Sequence, residues 1–404
     1  MANQDLERAR RAIGPIGLVT AAGEQPTRLA PKADEEWSLP GGRALVYYGQ
    51  GNRGIVRPVL LADGFESGPT NFDAVWEHVD GEPHRFATRL REQGRDLILI
   101  GFDERSASIL NNASTATAAI HQAVTERLGD TRLLVGGFSM GGIVTRYALA
   151  RMELQRIDHQ VGVYLSVDSP HRGATVPIAL QAIAHHLAPV NDTLSQLLNS
   201  AAARQLLWRH IEEPTGDSST EDSARTEFLE QLDRVGGWPR IPRLLGVASG
   251  VGTGHRNGVP PGVLALRSNG PWLTDTQLFT QAGGRDRVVA ELRGLLGEVT
   301  VRTNNFPDLD GAPGGTLGSF GILADTLKDA GESVDVSHRS ICFVPSVSAV
   351  AVRGIETNDD LYVNIDNLPP EESELDDFLC SSTPVPHSAL TDEISAWILD
   401  RLPD

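Results

Sequence analysis

The sequence predicts a mostly parallel α/β sheet, and three observations carry that expectation. Short apolar runs recur at 57–62, 97–102, 133–138, 161–167 and 243–248, near-continuous as in strands buried on both faces. Helical patterns separate the middle runs, the order that builds parallel sheets through crossover connections. The chain's 404 residues, 40% of them apolar and 22% charged, can bury a core of that size as one large domain with insertions.

Taken in order, residues 1–43 read as an N-terminal extension and residues 44–404 as the domain. The segment 44–48 is an early strand, followed by the run 57–62. After the run 97–102, residues 106–128 place Ile109, Ala116, Ile120 and Val124 at helical spacing and stop at Gly129, a C-terminal signal. The run 133–138 passes directly into a helix over 141–154. Residues 174–240 contain helical stretches at 176–187, 194–210 and 223–232 and no strand pattern, which suits an inserted helical lid over an apolar pocket. Residues 250–340, rich in Gly, Pro and Asn, read as an irregular insertion with hairpins. A last strand over 341–347, an acidic loop over 371–377 and a helix over 390–402 close the chain.

Composition excludes several function classes. The chain holds 35 Lys and Arg against 53 Asp and Glu, a net charge of −18, which opposes attraction to nucleic acid or anionic membrane surfaces. Two cysteines, Cys342 and Cys380, exclude a disulfide scaffold and a CxxC site. The polar N-terminus lacks the pattern of a signal peptide, and no run approaches the roughly 18 apolar residues of a membrane span. A cytoplasmic protein is the expectation.

The chemistry starts at Gly137-Phe138-Ser139-Met140-Gly141, a GxSxG between an apolar strand and a helix. A turn this sharp strains its serine and needs small residues two positions to either side, and it aims the first helical N–H groups at a reacting carbonyl oxygen. Ser139 is therefore the candidate nucleophile and Met140 N–H one oxyanion donor. The second donor is Phe65 N–H, in Asp63-Gly64-Phe65 at the end of an earlier strand. His387, in Pro384-Val385-Pro386-His387-Ser388 after the final strand, is the candidate base. The orienting acid is Asp168, at the rigid end of the strand beside the nucleophile, or Asp310 in a later Gly-rich stretch, with Asp335 third. His171, in Asp168-Ser169-Pro170-His171-Arg172-Gly173, is a candidate substrate contact. Asp308 and Asp310 lack the other ligand positions of a calcium loop, and no metal or cofactor is implied.

Together these residues resemble the α/β-hydrolase superfamily, in its lipase-like group that includes GPI inositol-deacylases and bacterial triacylglycerol lipases. Ser139 in Gly-Phe-Ser-Met-Gly-Gly matches that group's nucleophile, Ser169-Pro170-His171-Arg172-Gly173 looks like its Thr-Pro-His-x-Gly segment, and Val344-Pro345-Ser346-Val347-Ser348-Ala349 resembles its Val-Pro-x-x-Ser-Ala segment. In many such lipases an Asp-Gly pair begins the last segment and its Asp is the acid; here Ile341 and Cys342 stand there. The resemblance implies ester hydrolysis or acyl transfer and identifies no substrate; the expected reaction is hydrolysis, through an acyl-enzyme on Ser139, of a small-molecule carboxylic ester or lipid-like substrate with a hydrophobic acyl or alcohol part. Transfer of the acyl group to another alcohol or amine, or cyclisation, would use the same intermediate, and a binding protein on the same scaffold would use none.

Overall fold

The computed structural model describes residues 2–19, 25–216, 218–355, 357 and 359–403. Helix α1 (Ala2–Ala12) is followed by the antiparallel pair β1 (Glu35–Leu39) and β2 (Gly42–Tyr47), so the main sheet starts before the boundary expected at residue 44. β3 (Pro58–Ala62), β4 (Asp96–Phe102), β5 (Leu133–Phe138), β6 (Val161–Val167) and β7 (Arg243–Ala248) then run parallel. Helices α2 (Phe72–Asp80) and α3 (Phe86–Glu92) join β3 to β4. Helix α4 (Ile109–Glu126) joins β4 to β5, and α5 (Met140–Leu154) joins β5 to β6. Successive strand residues alternate faces. Leu60, Ile98 and Val135 belong to the apolar core that contains α4 and α5, whereas Leu61, Leu97 and Leu134 belong to the one that contains α2 and α3.

Residues 174–240 form α6 (Ile178–Leu187), α7 (Thr193–Leu198), α8 (Ala201–Leu206) and α9 (Ser223–Arg234). All ten residues of α6 are buried, its polar side chains included, as in a core helix. His185 of α6 holds Ser195 Oγ through Nδ1 and Ile211 O through Nε2, each at 2.8 Å. Gln205 Oε1 of α8 accepts from Ile109 N at the start of α4 at 2.8 Å. The apolar density that suggested a lid is thus spent on packing.

The stretch 250–340 is also more regular than its composition suggests. β8 (Leu264–Ser268), β9 (Thr276–Phe279), β10 (Arg287–Gly294) and β11 (Gly297–Thr303) form a meander. After β12 (Gly314–Leu317) and α10 (Ser319–Asp329), β13 (Val334–Val336) joins its far edge, giving the antiparallel order β11-β10-β9-β8-β13. Its β9 and β10 pack on α6. Buried Glu332 knits the β8–β9 turn by accepting from Ser268 Oγ at 2.6 Å and Trp272 N at 2.8 Å.

The strand expected at 341–347 is β14 (Ile341–Pro345), which pairs with β12 as a separate ribbon and leads into α11 (Ser346–Ala349). The main sheet is completed by β15 (Asp377–Cys380), beside β7 and just past the expected acidic loop, before α12 (Asp392–Arg401). The resulting order, β1-β2-β4-β3-β5-β6-β7-β15, brings the C-terminal ends of β3, β5 and β6 side by side. Open parallel sheets bind ligands at that edge. No described helix is long and apolar enough to cross a membrane.

Candidate active site

Ser139 caps α5 directly from β5, with φ 51° and ψ −123°. Such a conformation costs about 1–3 kcal/mol. It persists because the turn is pinned: Ser139 N donates to Val167 O of β6 at 2.9 Å, and the turn has no room for larger residues. A Cβ on Gly141 would stand 2.3 Å from Ala62 O, and one on Gly137 would stand 2.4 Å from the Gly141 carbonyl carbon. The strained serine and its two glycines are therefore one device, as the motif predicts.

Asp168 follows β6 in the left-handed region, with φ 49°, where Asp and Asn are the most tolerated after Gly. The kink turns a fully buried carboxylate back toward the sheet edge. Its Oδ1 accepts from Ser249 N at 2.9 Å, and its Oδ2 accepts from His387 Nδ1 at 2.6 Å and from Ser388 N at 3.3 Å. The space it occupies exists because residue 315 is glycine: a Cβ there would lie 2.0 Å from Oδ2. His387 is delivered by a loop anchored to β12, through His387 N to Thr316 O at 2.9 Å, and the Phe343 ring stands edge-on to the imidazole, centroids 4.8 Å apart. Only 4% of the His387 side chain is exposed. Its Nε2 is 3.4 Å from Ser388 Oγ. Ser139 and His387 line one cavity without a direct hydrogen bond between them, as is common before substrate binds.

Asp310 is not the partner of His387. Its Oδ2 accepts from Gln281 N at 2.8 Å, while Oδ1 is buried without a partner. Burial, with nearby Asp308 adding to it, raises its pKa to about 7. Asp335 lies exposed on β13. His171 lies off the cavity wall: Nε2 meets Ser166 Oγ at 3.0 Å, Nδ1 meets Arg146 at 3.3 Å, and the ring packs on Trp238. Burial, then Arg146 and Arg172, hold it well below the usual histidine pKa. It is a neutral packing residue.

At the expected oxyanion position, Gly64 passes close to Ser139, since a Cβ on it would lie 3.3 Å from Ser139 Cβ. Phe65 N has no hydrogen-bond acceptor among the described residues, and Met140, first in α5, has no intrahelical acceptor for its N–H. Asp63 shapes this loop by accepting from Gly64 N at 2.7 Å and Thr70 Oγ1 at 2.8 Å, with Arg105 3.6 Å away. Burial raises its pKa, opposed first by Arg105.

The cavity, about 190 Å³, also holds a residue that the sequence reading passed over. His78 of α2 stands edge-on to Phe138, centroids 4.9 Å apart, and its Nε2 is buried without a partner. Burial, then His387 and His84, lower its pKa to about 4, so it is neutral at pH 7. A signal for its helix was present: Asn71 caps α2 by accepting from Asp73 N and Ala74 N, and Phe72, Trp76 and Val79 follow at helical spacing. No residue of 174–240 lines the cavity.

The chain matches no family model and no curated protein. It is similar to solved structures of a Bacillus licheniformis lipase, BlEst2 in mature form (16% identity, 53% of this chain and 74% of that one, TM-score 0.32). It is similar to a Pyrobaculum calidifontis esterase (12%, 61% and 70%, TM-score 0.32). It is also similar to EstE1, a carboxylesterase from a metagenomic library (14%, 61% and 75%, TM-score 0.33). Strand order and elbow, more than these distant likenesses, define the fold.

Proposed function

We propose that this chain, an α/β-hydrolase by fold, hydrolyses a carboxylic ester through an acyl-enzyme on Ser139. The observation that carries the reading is the 2.6 Å bond that His387, on the wall of the cavity that holds the strained Ser139, donates from Nδ1 to the fully buried Asp168. A hydrogen on Nδ1 leaves Nε2 with a free lone pair. On substrate binding Nε2 turns from Ser388 to Ser139 Oγ and takes its proton as Oγ attacks the acyl carbon. The carbonyl oxygen becomes an oxyanion facing Phe65 N–H and Met140 N–H. Collapse breaks the bond to the alkoxy oxygen, which leaves with the proton from Nε2. Water then repeats the sequence on the acyl-enzyme and releases the acid.

The test is covalent. A fluorophosphonate probe is expected to label wild-type protein once per chain, with the adduct on the peptide containing Ser139, and to leave Ser139→Ala unlabelled. An adduct elsewhere, or none, sinks the reading.

The Asp310 site gives a second expectation. A carboxyl whose folded pKa is raised binds more protons folded than unfolded between pH 4 and its pKa of about 7, so it lowers stability as pH rises through that window. Asp310→Asn keeps the acceptor for Gln281 N and cannot ionise. It is expected to retain ester turnover and to melt at or above the wild-type temperature at pH 8, with the advantage vanishing near pH 4. A large loss of turnover would return Asp310 to the catalytic group.

A further inference from the structure

We infer that the substrate carries a short acyl chain, and that Val75 of α2, which lines one cavity with Ser139 and Val19, sets its length limit. The inference rests on the Ser139 acyl-enzyme reading, because it takes the cavity beside Ser139 as the place where the acyl chain lies. Its volume, about 190 Å³, is below the roughly 300–1,000 Å³ of sites that enclose drug-sized ligands.

The walls decide what can fill it and where it can give way. Phe138 is locked by the edge of His78, and Phe343 by the edge of His387; neither ring can swing without breaking an aromatic contact next to the reacting groups. The wall carries charged side chains at Asp63, Glu66 and Arg105, but most of its surface is apolar, from residues such as Val75, Phe138 and Phe343, and His78 is neutral, so an apolar group fits that part of it. Val75 differs from them. It is a half-buried aliphatic residue on an exposed-to-core boundary of α2, where one side-chain change alters depth without touching Ser139, His387 or Asp168. Val19 belongs to a segment fixed independently of α2: Ile13, Ile16 and Leu18 are buried, and Leu18 O accepts from Ser319 Oγ at 3.4 Å. The cavity is therefore lined by a helix and by the N-terminal segment, and not by the inserted helices that were expected to cover it.

The experiment measures kcat/KM for p-nitrophenyl acetate, butyrate and octanoate with wild type, Val75→Ala and Val75→Phe. One methylene too many in an apolar pocket costs about 10–200-fold. Wild type is expected to lose at least tenfold from butyrate to octanoate. Val75→Ala should shrink that ratio about tenfold, and Val75→Phe should enlarge it and extend the loss to butyrate over acetate. Labelling rates with short-alkyl and octyl phosphonate probes read the same ranking without turnover. Equal efficiency from acetate to octanoate, a preference for octanoate, or a wild-type preference that neither variant moves overturns the inference while Ser139 labelling still stands. Absence of Ser139 labelling by any probe overturns the acyl-enzyme reading instead.

Discussion

Ser139→Ala is expected to lower kcat for an activated ester by about 10⁶-fold, the loss seen when the nucleophile of a serine protease is removed. The fold should be unaffected. The Ser139 hydroxyl makes no hydrogen bond among the described residues, so its removal leaves none of their buried groups unpaired, and the left-handed φ is held by Ser139 N to Val167 O, which alanine keeps. The check is a burst-free, near-background rate together with an unchanged circular dichroism melt. Turnover within tenfold of wild type would remove Ser139 from the mechanism.

Asp168→Asn should cost on the order of 10⁴ in kcat, and the site's geometry gives two separate reasons. Three hydrogens converge on this carboxylate, from Ser249 N, His387 Nδ1 and Ser388 N, and an amide has a single acceptor oxygen. If that oxygen faces Ser249, the NH₂ faces His387 Nδ1. The imidazole must then accept at Nδ1 and carry its hydrogen on Nε2, the wrong tautomer for taking the serine proton. If the amide is turned over, its NH₂ opposes Ser249 N–H. Either arrangement also fails to stabilise the imidazolium. Backbone strain is not the cause, since Asn tolerates positive φ as well as Asp. A pH–rate profile and a thermal melt together check this: kcat falls at every pH while the protein stays folded. Retention of a tenth or more of wild-type kcat would dismiss Asp168 as the orienting acid.

The parts of this molecule legible in sequence were those in which one local pattern has one structural meaning. The runs at 133–138, 161–167 and 243–248 are β5, β6 and β7 to the residue, because unbroken apolar stretches of six or seven residues bounded by turns suit strands buried on both faces. The elbow was legible because strand, glycines and helix all agree. The lid was not: apolar spacing in α6 reports that the helix is buried, and cannot report against what. β15 escaped because it is a four-residue, half-buried edge strand with Asp377 at its start, too short to form a run. The second sheet escaped because its strands carry outward charges, such as Arg267 and Arg302, between buried residues. The choice between Asp168 and Asp310 was a question of distance in space, which chain position does not encode. Only the long reach from residue 168 to residue 387 settles which carboxylate meets the imidazole.

Asp168 lies one strand from Ser139, and Ser139 N is bonded to the residue just before it. Ser139 and the Asp168 carboxylate thus ride on two neighbouring strands, and the 219 positions that separate Asp168 from His387 along the chain deliver to them an imidazole, the Ser249 N–H, the Phe343 ring and the clearance at Gly315. Chain length in that stretch is uncoupled from the chemistry. The exposed loop Gly284-Arg285-Asp286 before β10 is, on this view, a grafting point: a fusion partner or an immobilisation tag inserted there extends the far sheet and leaves the reacting atoms where they are.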